Sequence, residues 1–197
     1  FLQGDAYYQM KQYSLATYPF ERLQKIYPRS AKAVEAAFLE AKSLYMQVPT
    51  YSVDQTYTYQ ALEKLQYFMD RYSDSDYAKE ANELILNLLT QLQKKEFEIA
   101  KQYDLIRDYQ AAMKSLDNFL ANNPGSVFRE DALYTRLHSA YEWAINSVES
   151  KQKERLDTAK EAYDTLLLAF PETKYKKEAD NMLKKINTSL KSFTSQK

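Results

Sequence analysis

Alanine recurs at one phase of a repeated pattern along this chain, and that recurrence limits the fold more than any other feature. Segments beginning at Ala16, Ala61, Ala112 and Ala159 each carry a large residue four positions on, an apolar residue seven on and a helix stop twelve on. They read Ala16, Phe20, Leu23, Pro28; Ala61, Leu65, Phe68, Ser73; Ala112, Leu116, Phe119, Pro124; and Ala159, Tyr163, Leu166, Pro171. Offsets of four and seven fall on one helical stripe, so each segment is an amphipathic helix with one buried face. Proline closes three of them, because it has no amide to donate and turns the preceding residue away from the helical region.

The pattern continues beyond the stop. Ser30, Ser75, Ser126 and Thr173 lie two residues past it, placed to cap the next helix. Ala36, Ala81, Ala132 and Ala179 lie eight past it. A small side chain at a fixed phase lets helices approach closely, as stacked hairpins require. Aromatic residues precede each first alanine, at Tyr7, Tyr45, Tyr103 and Trp143, by 9, 16, 9 and 16 positions. Two hairpins therefore have short turns, and two carry seven extra residues that include Val48 to Tyr51 and Asn146 to Ser150, expected as loops on one face. No Gly or Pro occurs between Thr50 and Asn123. Residues 76–107 can thus run as one helix of roughly 45 Å, a spine linking an N-terminal pair of hairpins to a C-terminal pair.

These spacings predict an all-α, right-handed solenoid of helical hairpins over residues 1–197. The hairpins fall near 1–28, 31–73, 76–124 and 127–171, with a terminal helix near 174–193. The skeleton of small residue, aromatic, Ala, aromatic and Pro is that of a tetratricopeptide (TPR) repeat, most complete in Gly4, Tyr7, Ala16, Phe20 and Pro28.

Composition removes most chemistry. Gly4 and Gly125 are the only glycines among 197 residues, so the glycine-rich loops of dinucleotide and P-loop sites are missing. No cysteine and a single histidine, His138, leave no thiol catalysis, no disulfide and no Cys/His zinc site. His138 reads as a surface or partly packed histidine. Carboxylate pairs such as Glu80 with Glu83 and Glu96 with Glu98 sit among lysines and read as solvated faces. No enzyme, cofactor or metal site is expected. The 27 basic and 27 acidic side chains balance, which gives no reason to expect nucleic acid. No apolar run is long enough to span a bilayer, and the first twenty residues do not read as a signal peptide. Charge is uneven, with seven acids and three bases in residues 52–83 against seven acids and eleven bases in residues 151–197, a gradient suited to orienting protein partners.

The chain resembles the BamD family, TPR lipoproteins of the outer-membrane β-barrel assembly machinery. The residues that carry the likeness are Phe68 to Tyr77, then Lys94 to Tyr103 on the long helix, Tyr109 to Ala112, Asn123 to Ser126 and Ala169 to Thr173. The stretch Phe119 to Tyr141 is equally similar to other periplasmic TPR proteins that coordinate envelope division or peptidoglycan synthesis, and a periplasmic adaptor of that kind is the alternative reading. The family resemblance implies a fifth hairpin and an acylated cysteine upstream of Phe1, and a longer loop than the one here around Tyr51 to Tyr59. It implies a lipid-anchored adaptor at the periplasmic face of the outer membrane. Its C-terminal hairpins would dock on a POTRA domain of a BamA-like insertase, its N-terminal hairpins would receive unfolded outer-membrane proteins, and other subunits of the machinery would join.

Among the 18 tyrosines, Tyr7, Tyr45, Tyr103 and Tyr163 fall on the expected buried stripes. Tyr51, Tyr57 and Tyr59 lie in an insertion outside the repeat register, where they either pack the loop or hold an extended apolar-aromatic peptide. Lys174, Lys176, Lys177, Lys184 and Lys185 make a basic terminal helix, either a solubilising cap or a docking surface; Lys174 and Lys177 are taken as its contact residues. Arg129 and Arg136, seven apart and so on one helical face, are candidate contacts for a partner's carboxylates. The polar tail from Ser192 to Lys197 is expected to fray.

Overall fold

A computed structural model describes residues 1–194 of the chain. Among these residues the secondary structure is nine α-helices without a strand: α1 (Leu2–Gln9), α2 (Tyr13–Ile26), α3 (Ala33–Tyr45), α4 (Thr56–Tyr72), α5 (Ala78–Leu105), α6 (Tyr109–Asn122), α7 (Arg129–Ile145), α8 (Glu149–Ala169) and α9 (Lys176–Thr194). The fold is all-α and built of TPR-like hairpins. Its chain divides into two compact units, Phe1–Leu92 and the residues from Gln93 on.

Every alanine of the repeat is at a helix contact. Ala16, Ala36, Ala61, Ala81, Ala112, Ala132, Ala159 and Ala179 are each 0% exposed. In the first unit, Ala16 and Ala36 close a small core around Phe20, with Tyr7 and Leu23 leaning on it. Ala61 and Ala81 belong to a second core with Phe38, Leu65, Phe68 and Leu88. The Phe38 ring stacks on Tyr77 at 4.9 Å and tilts against Phe68 at 5.6 Å. Each buried ring or leucine contributes about 1.5–3 kcal/mol, which makes these stripes the main source of stability.

In the second unit, Phe97 and Ala100 of α5 pack on Leu116 and Phe119 of α6 and Ala132 of α7. A larger core joins Leu133, Leu137, Ala140 and Ala144 of α7 to Leu156, Ala159 and Leu166 of α8 and Ala179 and Ile186 of α9. Helix α7 buries residues on two faces because it packs against both α6 and α8. The long helix α5 spans 28 residues, about 42 Å. Its first half supplies Ala81, Leu84 and Leu88 to the first unit's core, and its second half supplies Phe97 and Ala100 to the second's.

The links between helices depart from the spacing argument in three ways. Ser30, Ser126 and Thr173 do not cap the following helix; their hydroxyls accept the amide two residues on, at 3.2, 3.2 and 3.3 Å. Each carbonyl then accepts the amide three residues on, so the Ser/Thr closes a turn one step ahead of the helix. Ser75 makes the same backbone turn but donates its hydroxyl to the Tyr72 carbonyl at 2.8 Å. Secondly, of Asn146 to Ser150 only the first three residues form a turn: α8 already starts at Glu149, so most of the extra length is helix. Thirdly, the two short turns use left-handed residues that are not glycine, Lys11 (φ 57°) and Arg107 (φ 65°). At both, the residue after the left-handed one donates to the carbonyl five back (Gln12 to Tyr7, Asp108 to Tyr103), and the left-handed residue itself donates three back. This is the Schellman closure of a helix end. At the C-terminus, Ser192 to Thr194 complete α9, and Ser195 to Lys197, where the tail was expected to fray, lie outside the described residues.

Gly4 is buried in α1, and a Cβ built there would sit 2.8 Å from the Phe20 ring. Phe20 is wholly buried and flanked by Phe1, so it has no room to move. Alanine would gain about 1 kcal/mol in helix propensity, but overpacking costs about 1–3 kcal/mol. Gly4→Ala is therefore expected to lower the thermal midpoint of the full chain. Gly125→Ala, with no neighbour within 4 Å, is expected to leave it unchanged, and a scanning calorimetry comparison of the two checks this.

Candidate protein-interaction surfaces

The first unit carries an open groove of about 680 Å³ between α2, α3 and α4. At its floor the Glu40 carboxylate, almost fully buried, accepts from Gln24 Nε2 at 2.7 Å and from Lys64 Nζ at 2.8 Å. These bonds satisfy a charge that would otherwise be costly to bury. Tyr67, Arg71 and Tyr72 form the wall, with the Arg71 guanidinium donating to the Tyr67 hydroxyl. Acidic, basic and aromatic side chains line this groove, so it offers hydrogen bonding to a peptide backbone and stacking to aromatic side chains.

Tyr57 and Tyr59 are not in a loop; they lie in the first turn of α4 and are 52% and 60% exposed. Two positions apart on a helix, they point to different sides. Tyr51 is half-buried in the Met46–Gln55 connection. That connection is held by a polar clasp. Gln55 donates through Nε2 to the Thr50 and Val53 carbonyls at 2.9 and 3.0 Å, and its Oε1 accepts from Thr58 at 2.8 Å and from Gln91 at 3.2 Å. Gln91 also donates to the Pro49 carbonyl at 2.7 Å, tying the loop to α5. Glutamines carry no sequence signal for such a clasp, since the partners are up to 42 residues apart.

In the second unit, Arg136 donates to both carboxylate oxygens of Asp117 on α6, so its fork is used within the fold. Arg129 opens α7 and is half-buried. Lys174 lies in the turn ahead of α9, not on it, and its Nζ pairs with Asp131 at 2.5 Å. Burial opposes ionisation of Asp131, but the bonds from Lys174 and Tyr175 hold its carboxyl below the usual range. Burial first, and then the bond to Asp131, pushes the Tyr175 phenol up to about 12. The Tyr175 ring stacks on Tyr134 at 3.9 Å, so the turn that carries Lys174 is packed onto α7. Lys177 is exposed in the first turn of α9.

An opening of about 850 Å³ in this unit lies where the α5–α6 and α7–α8 turns meet. Asp104, Arg107, His138, Glu142, Trp143 and Arg155 line it. The Arg155 guanidinium lies 3.8 Å from the Trp143 ring centre and donates to the Ser147 hydroxyl. His138 is partly packed, and its Nδ1 lies 3.0 Å from both carboxylate oxygens of Asp104. That bond raises the imidazole above its usual value against the opposing effect of burial. At the rim, Leu105 and Ile106 are 63% and 68% exposed, and Val148 is also exposed. Sequence reasoning missed this site, because Leu105, Ile106 and Val148 fall outside the repeat register and Asp104 reaches its partner 34 residues away. Of the four tyrosines expected in the core, Tyr163 is buried and Tyr7 and Tyr45 lean on core clusters. Tyr103 is exposed, because the inward stripe of α5 runs Phe97, Ala100, Asp104 and leaves it to one side.

A family model described as YfiO, outer membrane lipoprotein, matches residues 5–114 and 105–193. The outer membrane protein assembly factor BamD of Caulobacter vibrioides (strain ATCC 19089 / CIP 103742 / CB 15) is 32% identical over 140 residues, covering 71% of this chain and 46% of that protein. The chain thus spans less than half the length of that relative. With the model matched along nearly the whole of an all-α, TPR-like chain, the protein is a member of the YfiO family of outer-membrane lipoproteins.

Proposed function

We propose that this chain is a non-enzymatic adaptor of the outer-membrane β-barrel assembly machinery, held by a lipid anchor at the periplasmic face of the outer membrane. Its C-terminal hairpins dock on a POTRA domain of a BamA-like insertase, and its N-terminal hairpins receive unfolded outer-membrane proteins for insertion. The family match and the name of the Caulobacter relative support the machinery.

The observation that carries the docking half is the edge of the second unit where the α5–α6 and α7–α8 turns meet. Leu105, Ile106 and Val148 stand in water there, beside Arg107, Glu142 and Arg155. Exposed large apolar side chains next to charged residues have the make-up of a protein interface. Arg129 and Lys177 are further contacts on this unit, whereas Arg136 and Lys174 join only by exchanging the intramolecular partners they have. In the first unit, the groove lined by Tyr67 and Tyr72 is the site for an extended client segment, and Tyr51, Tyr57 and Tyr59, which are not among its lining residues, are further contacts for it.

Two measurements test this. Affinity capture of the tagged full-length protein from detergent-solubilised envelopes of the source organism is expected to recover a β-barrel protein bearing POTRA domains; recovery of other envelope partners without one would sink the proposal. Ile106→Glu is expected to weaken binding of the POTRA fragment by more than about tenfold, as loss of an interface anchor does, with an unchanged thermal midpoint, since the side chain touches no core.

A further inference from the structure

We propose that Asp104 is the positioning residue of the docking edge: clamped by His138 and Ser139, it fixes the α5–α6 corner on α7 and so places Leu105, Ile106 and Arg107 for the partner. The placement half rests on the docking proposed above; the clamp stands on the fold alone.

The corner has little else to hold it. From Gln102 to Asp108, Asp104 is the one residue that is not exposed. The apolar stripe of α5 ends at Ala100, one turn earlier. Beyond it the inward position passes to a carboxylate, whose side chain is only 11% exposed. A carboxylate in the last turn of a helix faces the negative end of the helix dipole, so its charge needs donors from outside α5. Helix α7 supplies them: His138 Nδ1 at 3.0 Å and the Ser139 hydroxyl at 2.7 Å. Ser139 is itself wholly buried. Three residues on, Arg107 takes up the left-handed conformation that turns the chain, closed by the same backbone bonds as at Lys11. Those bonds shape the turn itself; the carboxylate clamp ties it to α7.

The clamp has a pH-dependent component. Facing His138 are Asp104 and Arg107 from α5 and its corner, Tyr109 from α6, Glu142 from its own helix, and Arg155 from α8; Tyr134, one turn earlier on α7, acts on Asp104. The bond to Asp104 raises the imidazole above its ordinary 6.5, with burial opposing and Glu142 assisting. A raised folded-state value means that the ionic part of the clamp is complete below pH 6.5 and is lost as pH rises through the folded value. Above it, neutral donors remain.

The test uses the full chain and two readouts. Amide hydrogen exchange, corrected for intrinsic rates, is expected to speed up about tenfold or more at residues 105–109 in Asp104→Ala and less in Asp104→Asn, consistent with loss of bonds to a charged acceptor. Leu116 and Leu137 amides should not change. The wild-type corner should lose protection as pH rises through the His138 transition, and His138→Gln should flatten that profile. Equal exchange at the corner in Asp104→Ala and wild type overturns the clamp, and so does uniform acceleration across the unit, which would mean a general loss of stability. The second readout is affinity for the POTRA fragment. If Asp104→Asn binds several-fold more weakly and loses the wild-type pH profile, the positioning role is supported. If exchange behaves as described but wild type does not bind the fragment, the docking reading fails and the clamp survives. Unchanged affinity in the variants overturns the positioning role alone.

Discussion

The helix packing of this molecule turns on eight wholly buried alanines, one on each helix from α2 to α9. Helix axes separate according to the side chains between them, and alanine at these points allows close approach. One turn past the first alanine of each repeat stands a bulky buried side chain, Phe20, Leu65, Leu116 or Tyr163, that fills space beside it. The first and second alanines of every repeat are 20 positions apart, so one short helix, one turn and the start of the next helix span a constant path. The turns are free to differ in chemistry because the alanines already set the approach.

Function then falls to what the alanine contacts leave over. A helix pressed to its neighbours on one stripe exposes its other faces and its ends, and both candidate surfaces lie there. The groove of the first unit is lined by the outward faces of α2 and α4. The docking edge of the second unit is built from two turns, one of three residues after α5 and one of three after α7. Polar side chains hold these regions where apolar packing has run out: the Gln55–Gln91 clasp behind the α3–α4 loop, the Glu40 cluster under the groove, and Asp104 at the α5–α6 corner.

The hairpins were legible in the sequence because their determinants are local. A stripe at offsets of four and seven and a stop at twelve are read from neighbouring residues, and helices α2, α4, α6 and α8 end at or just before the stops. The long α5 was legible because nothing in its sequence interrupts it. What the sequence concealed is of two kinds. Lys11 and Arg107 turn the chain in conformations usually marked by glycine, so the corners carried no composition signal. The extra residues before Ala159 lengthen α8 at its start, while those before Ala61 lie in the Met46–Gln55 connection, where Pro49 and the Gln55 clasp hold a loop. The partnership of Asp104 with His138 and Ser139 depends on two helices meeting far apart in sequence. An acid in the last turn of a helix, out of keeping with the dipole, was the one hint available.

The most direct measurement compares Ala112→Leu with Ala121→Leu in the full chain by urea unfolding. Both residues lie on α6 and both variants add the same carbons, but Ala112 is wholly buried and Ala121 is exposed. If close approach at the repeat alanines governs the fold, Ala112→Leu loses about 1–3 kcal/mol or more, while Ala121→Leu stays within about 0.5 kcal/mol of wild type. Equal midpoints for the two variants would contradict the account.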